Sequence, residues 1–431
     1  MSYQSKYLNA IFNISDDILT KLQSAALSCE PLFREIDSIA EYQQLRVLQA
    51  FWANNVSDFH LNGSTGYGYG DSGRDTLESI YAAIFKTEAA LVRSQIVSGT
   101  HALAIGLFGN LKSGEEVISV TGKPYDTLLK VIGVNGKVDG SLIDSGVKYT
   151  EIPLNNASEI DMPAILDTIS SQTKMIYFQR SKGYEYRPSI NIAELEKAIS
   201  AIKENHPDLI CMVDNCYGEF VEEKEPTEIG ADLIGGSLIK NPGGGLALAG
   251  GYLAGKADLI RRAASRLTAP GIGQDVGASF NFNRFAYQGL FMSPLIVAQA
   301  LKGSVLAAEF FASLGYPVSP EAHEHRTDII QAIRLGSPER VLAFCRGIQK
   351  ACPLDAHARP EAAFLPGYAD PIVMAGGTFV QGSSIELSAD APMRLPYNVF
   401  LQGGLSLGHI KIGLALAANE ITLLALKENG N

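Results

Sequence analysis

LICMVDNCYGEF (residues 209–220) opens with an apolar run of strand length that ends at a carboxylate, Asp214. KMIYFQR (174–180) and ADLIGGSLIK (231–240) contain similar short runs, and a longer amphipathic stretch, NIAELEKAISAIKEN (191–205), lies between the first two. Short apolar runs that alternate with helical stretches are typical of a mostly parallel sheet covered by helices. The fold class predicted from this stretch is therefore α/β.

The alternation has limits along the chain, and these limits predict three parts. It begins near residue 89 and ends at GGYLAG (250–255). The first 60 residues instead place apolar residues at helical spacings of three and four, and after about residue 290 long helical stretches precede strand-like runs. We predict an N-terminal helical segment, 1–64, a large α/β domain, 65–290, and a smaller α+β C-terminal domain, 291–431.

Composition excludes several classes of protein. The 431 residues are 46% hydrophobic and carry a net charge of −11, which argues against nucleic acid or an anionic membrane as a partner. The run GGGLALAGGYLAG is shorter than the roughly 20 residues of a membrane span, and the N-terminus has no signal-peptide pattern. The five cysteines are dispersed without a C-x-x-C motif, which favours a reducing cytoplasm over a disulfide framework.

Two phosphate-loop patterns fail on their context. Residues 68–73 match G-x-G-x-x-G, but no apolar strand precedes them, as a dinucleotide site requires. Residues 250–256 nearly match a Walker A loop, but Ala257 replaces the magnesium-binding hydroxyl residue. The seven histidines show no metal-binding spacing, so no metal site is predicted.

Three features at predicted strand ends remain. IVSGTHALAIGL (96–107) is a strand that turns into a helix, whose first N–H groups suit an anion, although Ser98 or Thr100 could simply cap the helix. Asp214 could form a local turn or reach into the crevice where open α/β sheets bind ligands. Lys240, at the end of the strand-like run ADLIGGSLIK, could be a solvated residue, a phosphate binder or a nucleophile.

Taken together, an anion-binding helix start, a carboxylate and a lysine form the set that pyridoxal 5'-phosphate requires. The phosphate needs the helix start, and the pyridine nitrogen needs the carboxylate to stay protonated. The aldehyde needs the lysine for its Schiff base. The order and spacing of the three features favour this cofactor.

The sequence resembles the fold-type-I pyridoxal-phosphate enzymes of cysteine and methionine metabolism. It is most similar to the cystathionine β-lyase-like or methionine γ-lyase-like proteins involved in aluminium resistance, a branch for which four stretches are distinctive: GKPYDTL (122–128), SLIKNPGGG (237–245), GYLAG (251–255) and QGSSIEL (381–387). The likeness extends over nearly the whole chain. It implies that the large domain, 65–290, is aspartate-aminotransferase-like and binds pyridoxal phosphate, with a smaller α+β domain after it.

The resemblance assigns roles to individual residues. It implies that Lys240 is the Schiff-base lysine and that Asp214 is the partner of the pyridinium nitrogen. Tyr125 matches a tyrosine that stacks on the cofactor ring. The residues that match the phosphate contacts are Ser98, Gly99, Thr100 and Ser237.

Tyr69 matches a tyrosine that reaches the phosphate from the neighbouring subunit. This match implies a homodimer or homotetramer with shared active sites. The relatives place an arginine two residues after that tyrosine, whereas this chain has Asp71. We therefore consider Arg74 as the source of the missing charge.

The resemblance also implies an arginine for the substrate carboxylate, but the relatives' motif is absent. Two substitutes are considered: Arg394, after the strand-like SSIELSAD, and Arg180, after KMIYFQ. Arginine is expected because its planar fork binds a carboxylate at two points. Arg394 is favoured because it lies in the small domain.

The function that the resemblance implies is a carbon–sulfur lyase that releases a thiol from a sulfur amino acid, by cystathionine β-lyase or methionine γ-lyase type elimination. Lys240 would remove the α-proton, Asp214 would keep the ring protonated, and Tyr125 would help to protonate the departing sulfur. Two alternatives stay open at this point. One is an aminotransferase or decarboxylase with the same cofactor, and the other is a low-turnover pyridoxal-phosphate-binding protein of the stress response.

Overall fold

A computed structural model describes residues 3–134, 136 and 138–429. The chain divides into two compact units. The large unit comprises residues 42–183 and 189–294, and the small unit comprises residues 1–41, 184–188 and 295–431. The predicted helical segment 1–64 is thus shared between the two units, and the predicted boundary after residue 290 falls inside a helix.

Twelve α-helices and twelve strands are formed by the described residues. The helices are α1 Tyr3–Phe12, α2 Asp16–Ser28, α3 Glu30–Ala53, α4 Ser72–Ile84, α5 Gly99–Asn110, α6 Asp126–Ile132, α7 Met162–Thr168, α8 Ile192–Asn205, α9 Ala257–Leu267, α10 Phe282–Ser313, α11 Pro338–Ala351 and α12 Leu407–Asn429. The strands are β1 Ala89–Arg93, β2 Glu116–Ser119, β3 Lys148–Glu151, β4 Thr173–Gln179, β5 Ile210–Asp214, β6 Leu233–Ser237, β7 Gly251–Gly255, β8 Val318–Ser319, β9 Gln331–Arg334, β10 Ile372–Ala375, β11 Ser388–Pro392 and β12 Asn398–Gln402.

The large unit contains a seven-stranded sheet with the order β1-β7-β6-β5-β4-β2-β3. Strands β2 to β6 pair in parallel, whereas β7 is antiparallel to both of its neighbours, β6 and β1. The central strands β5 and β6 are buried along their whole length, which explains why they are continuous apolar runs. The predicted α/β sheet is confirmed.

The small unit contains a five-stranded antiparallel sheet with the order β10-β11-β12-β9-β8. Helices α11 and α12 pack against each other beside this sheet, and the core of the unit includes Leu19, Phe310, Phe344, Leu401 and Leu414. The predicted smaller α+β domain is confirmed.

Within the part of the chain that the structure describes, two helices have the length and apolarity of a membrane span, which the glycine-rich run lacks. They are Phe282–Ser313 and Leu407–Lys427, and 78% and 50% of their most apolar windows are buried inside the protein. The buried core helices of soluble proteins reach the same length and apolarity as membrane spans. The composition of these two helices therefore does not show whether they cross a membrane.

The contact between α11 and α12 depends on a glycine. A Cβ atom at Gly347 would lie 2.4 Å from Cα of Ala417, so Gly347→Ala forces two backbones apart. We expect a loss of about 2 kcal/mol or more in the free energy of unfolding, measured by urea titration. Gly408 is a matched control, because a Cβ there meets nothing within 4 Å. Gly408→Ala should leave stability unchanged or slightly higher, and equal effects of the two variants would contradict this account.

Candidate functional site

The candidate site lies at the edge of the large sheet where parallel strands end. Gln179, the last residue of β4, pairs in register with Asp214, the last residue of β5. Asp214 pairs in turn with Gly235 of β6. Because these strands are parallel, their carboxyl ends meet at one edge and bring their end residues together.

Asp214 is buried, with 6% of its surface exposed. One carboxylate oxygen, Oδ1, accepts the N–H of Cys216 at 3.1 Å, and Oδ2 accepts the hydroxyl of Tyr177 at 3.4 Å. The first bond is the local turn that the sequence left open. The carboxylate therefore caps its own loop while lying at the strand edge.

Lys240 follows β6 by three residues and is half-buried, so it is not a freely solvated lysine. Its Nζ lies 3.9 Å from the ring centroid of Tyr217, whose backbone has a left-handed φ of 71°. Burial works to lower the pKa of the Lys240 amine, but acidic groups around it raise that pKa above its ordinary value: Cys216, Tyr217, Asp214 and Glu219. The site therefore favours the charged amine before any ligand binds.

The start of α5 approaches the ends of β5 and β6. A Cβ atom at Gly99 would lie 3.2 Å from Cβ of Ser237 and 3.4 Å from Sγ of Cys216. Ser98 caps the helix, since its hydroxyl accepts the N–H of His101 at 3.1 Å. The capping interpretation of Ser98 is thus correct, and the first N–H groups of α5 lie beside Ser237.

Thr100 and Tyr125 extend the same edge toward β4. Oγ1 of Thr100 lies 2.6 Å from Oγ1 of Thr127, which joins the starts of α5 and α6. The N–H of Tyr125 donates to Oε1 of Gln179 at 2.6 Å. The bond to Gln179 places the backbone of Tyr125 at the carboxyl end of β4, and the bond to Thr127 ties Thr100 to the same region.

Arg180 is fully buried, with no exposed surface. Its guanidinium donates to Oδ1 of Asn215 at 2.8 Å, to the carbonyl oxygen of Gly218 at 2.9 Å and to Oε2 of Glu222 at 2.5 Å. A guanidinium bound in this way cannot receive a substrate carboxylate without releasing its protein partners. These bonds give Arg180 a structural role, which is to hold the loop after β5, and its substrate role stays a prediction.

Arg394 lies in the small unit, just after β11, and is exposed. Its Nη1 is 3.0 Å from a carboxylate oxygen of Asp370. The side chain lines a cleft with Tyr184, Asn398 and Phe400. Of the two arginines considered, Arg394 is the one with an exposed side chain.

Tyr69 is 70% exposed, and its ring lies 5.5 Å from that of Tyr67, which is also exposed. Arg74 is buried, and its Nη1 donates to the carbonyl oxygens of Gly68 at 2.8 Å and Gly277 at 3.1 Å. The hypothesis that Arg74 supplies the missing phosphate charge is therefore corrected, because this arginine holds the loop that presents Tyr69.

Asp71 likewise serves the loop that presents Tyr69. Its Oδ1 accepts the N–H of Arg74 at 2.9 Å, and its Oδ2 accepts the hydroxyls of Ser64 and Ser279. Burial works to raise the pKa of Asp71, but these hydrogen bonds outweigh it and lower the pKa to about 2. Asp71 is a helix cap, not a ligand group.

Sequence reasoning missed three residues next to Asp214. Cys216 faces Gly99, Tyr217 faces Lys240, and Glu219 is a buried carboxyl whose charge acts on Lys240. All three stand in the stretch DNCYGEF, directly after the strand end. Their position after the strand end is the signal that the sequence offers, and it does not show the buried surroundings that set the role of Glu219.

The architecture and the site residues together define a class. The fold is that of the pyridoxal-phosphate enzymes of fold type I, and it is shared with the pyridoxal-5'-phosphate-dependent protein YhfS of Escherichia coli. That protein is 16% identical, with a TM-score of 0.61 over 90% of this chain and 97% of its own. At this identity the similarity concerns the fold alone.

Closer relatives define the family. The methionine gamma-lyase family profile matches residues 18–422. The uncharacterized protein YnbB of Bacillus subtilis (strain 168) is 50% identical over 391 residues, which cover 90% of this chain and 93% of YnbB. A carbon-sulfur lyase involved in aluminum resistance from Clostridium novyi NT is 43% identical, with a TM-score of 0.94 over 98% of this chain and all of its own. The chain belongs to the methionine gamma-lyase family, as the sequence resemblance indicated.

Because Arg180 is buried and Arg394 is exposed, substitutions of the two arginines should change the free energy of unfolding by different amounts. Arg180→Lys should lower the free energy of unfolding by about 3 kcal/mol, because a lysine cannot satisfy the buried partners of the guanidinium together. Arg394→Lys changes an exposed pair and should stay within about 0.5 kcal/mol of the unsubstituted protein. Urea titration of both variants measures this. A stable Arg180→Lys protein would return Arg180 to the candidates for substrate binding.

Proposed function

We propose that this protein is a pyridoxal-phosphate-dependent carbon–sulfur lyase that acts on a sulfur amino acid. The observation that carries the proposal is the convergence of a helix start, a carboxylate and a lysine at one sheet edge, in Gly99, Asp214 and Lys240. The family profile and the name of the Clostridium novyi relative support lyase chemistry.

The residues at this edge fit the cofactor. A Cβ atom at residue 99 would narrow the gap between α5 and Ser237. Glycine at this position therefore leaves the first N–H groups of α5 accessible to a phosphate. Asp214 supplies the acceptor that the ring nitrogen needs, and Lys240 supplies the amine for the carbonyl carbon. When bound, pyridoxal phosphate provides an electron sink that stabilises negative charge on a substrate carbon.

The side chains then divide the work of the elimination. The amine of Lys240, once uncharged, accepts the proton from the substrate's α-carbon. Asp214 would keep the ring nitrogen protonated, because a negative charge beside the nitrogen favours its protonated form and the buried position of Asp214 limits screening by water. Tyr125 would stack on the cofactor ring and would assist protonation of the departing sulfur, a role that its position beside Gln179 supports. After the thiol has left, the remaining enamine is released and reacts with water to give a 2-oxo acid and ammonia.

For the substrate carboxylate we propose Arg394. Its exposure and its single pairing with Asp370 support this assignment, since an incoming carboxylate can compete with one exposed partner. An arginine in this role fits a substrate with an α-carboxylate, as an amino acid has. A buried arginine such as Arg180 does not offer this exchange.

The proposed assembly is a homodimer or homotetramer with shared active sites, located in the cytoplasm. Exposure of Tyr69 on a loop that Arg74 and Asp71 hold in place supports a tyrosine presented to a second copy of the chain. A monomer should then bind the cofactor more weakly than the assembly does.

The proposal is tested by release of a 2-oxo acid from cystathionine, cysteine and methionine. We expect pyruvate or 2-oxobutanoate from at least one of them, and a loss of about a hundredfold or more in kcat for Asp214→Asn, because an amide cannot hold the ring proton by charge. Arg394→Lys should raise KM with little effect on the absorption of the bound cofactor.

Amino-group transfer to an added 2-oxo acid, or release of carbon dioxide, would favour an aminotransferase or a decarboxylase instead. No turnover with bound cofactor would favour a stress-response binding protein.

A further inference from the structure

Glu219 is a fully buried carboxyl group in the segment that follows β5. The hydroxyl of Tyr252 donates to its Oε1 at 2.9 Å, while its Oε2 has no hydrogen-bond partner in the described part of the chain. Tyr252 is itself packed against the rings of Tyr81 and Phe85, at centroid distances of 5.6 and 5.2 Å. Burying a carboxyl in such apolar surroundings costs free energy of folding, and groups of this kind are concentrated at functional sites.

The segment that carries Lys240 is shaped around Glu219. A Cβ atom at Gly236 would lie 2.6 Å from Oε1 of Glu219, so β6 leaves space for this carboxyl. Asn241, the residue after Lys240, donates from Nδ2 to the backbone carbonyl of Glu219 at 3.0 Å. Glu219 is thus held against the strand end and the turn that present the lysine.

The two groups also act on each other by charge. Burial raises the pKa of Glu219 from its ordinary value of 4.5 to about 8, and the charge of Lys240 works in the opposite direction. Glu219 in turn is one of the groups that raise the pKa of Lys240. The other titratable groups that face this pair are Tyr81, Asp214, Cys216, Tyr217, Glu225 and Tyr252.

Two of these neighbours keep a constant charge in the neutral and mildly alkaline range. Burial raises the pKa of the Tyr81 and Tyr252 hydroxyls well above their usual range, so these two groups stay neutral. Burial also raises the pKa of the Cys216 thiol and of the Glu225 carboxyl, while Lys240 and Arg180 respectively work in the opposite direction. Substitution of Glu219 alone therefore isolates its contribution, since its pKa of about 8 lies within that range.

We propose that Glu219 is a positioning residue for Lys240, whose buried carboxyl sets the fraction of the lysine amine that is uncharged. When Glu219 loses its proton, its new negative charge favours the ammonium form of Lys240, which neither accepts a proton nor attacks a carbonyl carbon. When Glu219 is protonated, the amine is freed more readily. The catalytic meaning of this coupling rests on the proposed function, but the coupling itself exists without cofactor or substrate.

The test is the rate at which Lys240 reacts with trinitrobenzenesulfonate in the full chain freed of cofactor, read by mass spectrometry of the peptide that contains Lys240. Rates are measured from about pH 6 to 10 for the unsubstituted protein and for Glu219→Gln. We expect equal rates below about pH 7, where Glu219 is protonated, and a rate about threefold to tenfold higher in the variant at pH 9 and above. Equal rates at pH 9, or a ratio that is the same at every pH, would overturn the proposal.

Tyr252→Phe is the matched control, because it removes the hydrogen bond to Oε1 but keeps the carboxyl. That bond lowers the pKa of Glu219, so its loss should raise this pKa. The pH at which ionisation of Glu219 begins to slow the labelling of Lys240 should then move to a higher value. If Glu219→Gln does not fold, this shift alone decides, and an unchanged profile of Tyr252→Phe counts against the proposal.

Thermal unfolding gives a second readout that a purely structural role would not produce. Because folding raises the pKa of Glu219, the unsubstituted protein loses stability as the pH rises from 4.5 through about 8. The Tm of Glu219→Gln relative to the unsubstituted protein should therefore be higher at pH 9 than at pH 6. An equal loss of Tm at these two pH values would indicate a structural role only. Failure of the proposed function is read separately, as absence of cofactor on Lys240 in the loaded protein.

Discussion

The parallel pairing of β5 with β4 and β6 is the constraint on which the site depends. It sets Asp214 in register with Gln179 on one side and Gly235 on the other. Since parallel strands end at the same edge, residues that are far apart in sequence become neighbours without any further adjustment. The antiparallel strand β7 then contributes Tyr252, which reaches Glu219 beneath the same edge.

The loop after β5 is held in place by buried polar groups. Arg180 binds Asn215, the carbonyl of Gly218 and Glu222, and a Cβ at Gly218 would lie 2.4 Å from its guanidinium. Tyr217 and Phe220 adopt left-handed backbones, with φ of 71° and 64°. Such conformations persist only where the surroundings fix them. Arg180 supplies that constraint here, which explains why an arginine is buried next to the candidate site.

Periodicity and strand-end chemistry allowed the fold and the central residues to be predicted. Continuous apolar runs mark β5 and β6 because both faces of these strands are buried, and Asp214 and Lys240 stand out as polar residues at their ends. The division into units was less predictable, since helices α2 and α3 carry the same spacing whichever unit they join. Nothing in YEYRP (184–188) signals its place in the small unit.

Residues whose roles depend on burial were beyond the sequence. Arg180 and Arg394 both follow strand-like runs, yet one is buried among carboxylates and the other is exposed. Arg74 has the charge that a phosphate needs, but its guanidinium is bound to backbone carbonyls. Glu219 showed no motif, because its surroundings come from β7 and α4, far from it in the chain.

Covalent attachment of the cofactor tests the central assignment most directly. The protein loaded with pyridoxal phosphate is reduced with borohydride, digested, and searched by mass spectrometry for the peptide that carries the added mass. We expect the mass on Lys240, with bleaching of the yellow absorption band, and no reducible attachment in Lys240→Ala. Attachment to another lysine in that variant at the level of the unsubstituted protein, or no attachment in either protein, would contradict the account.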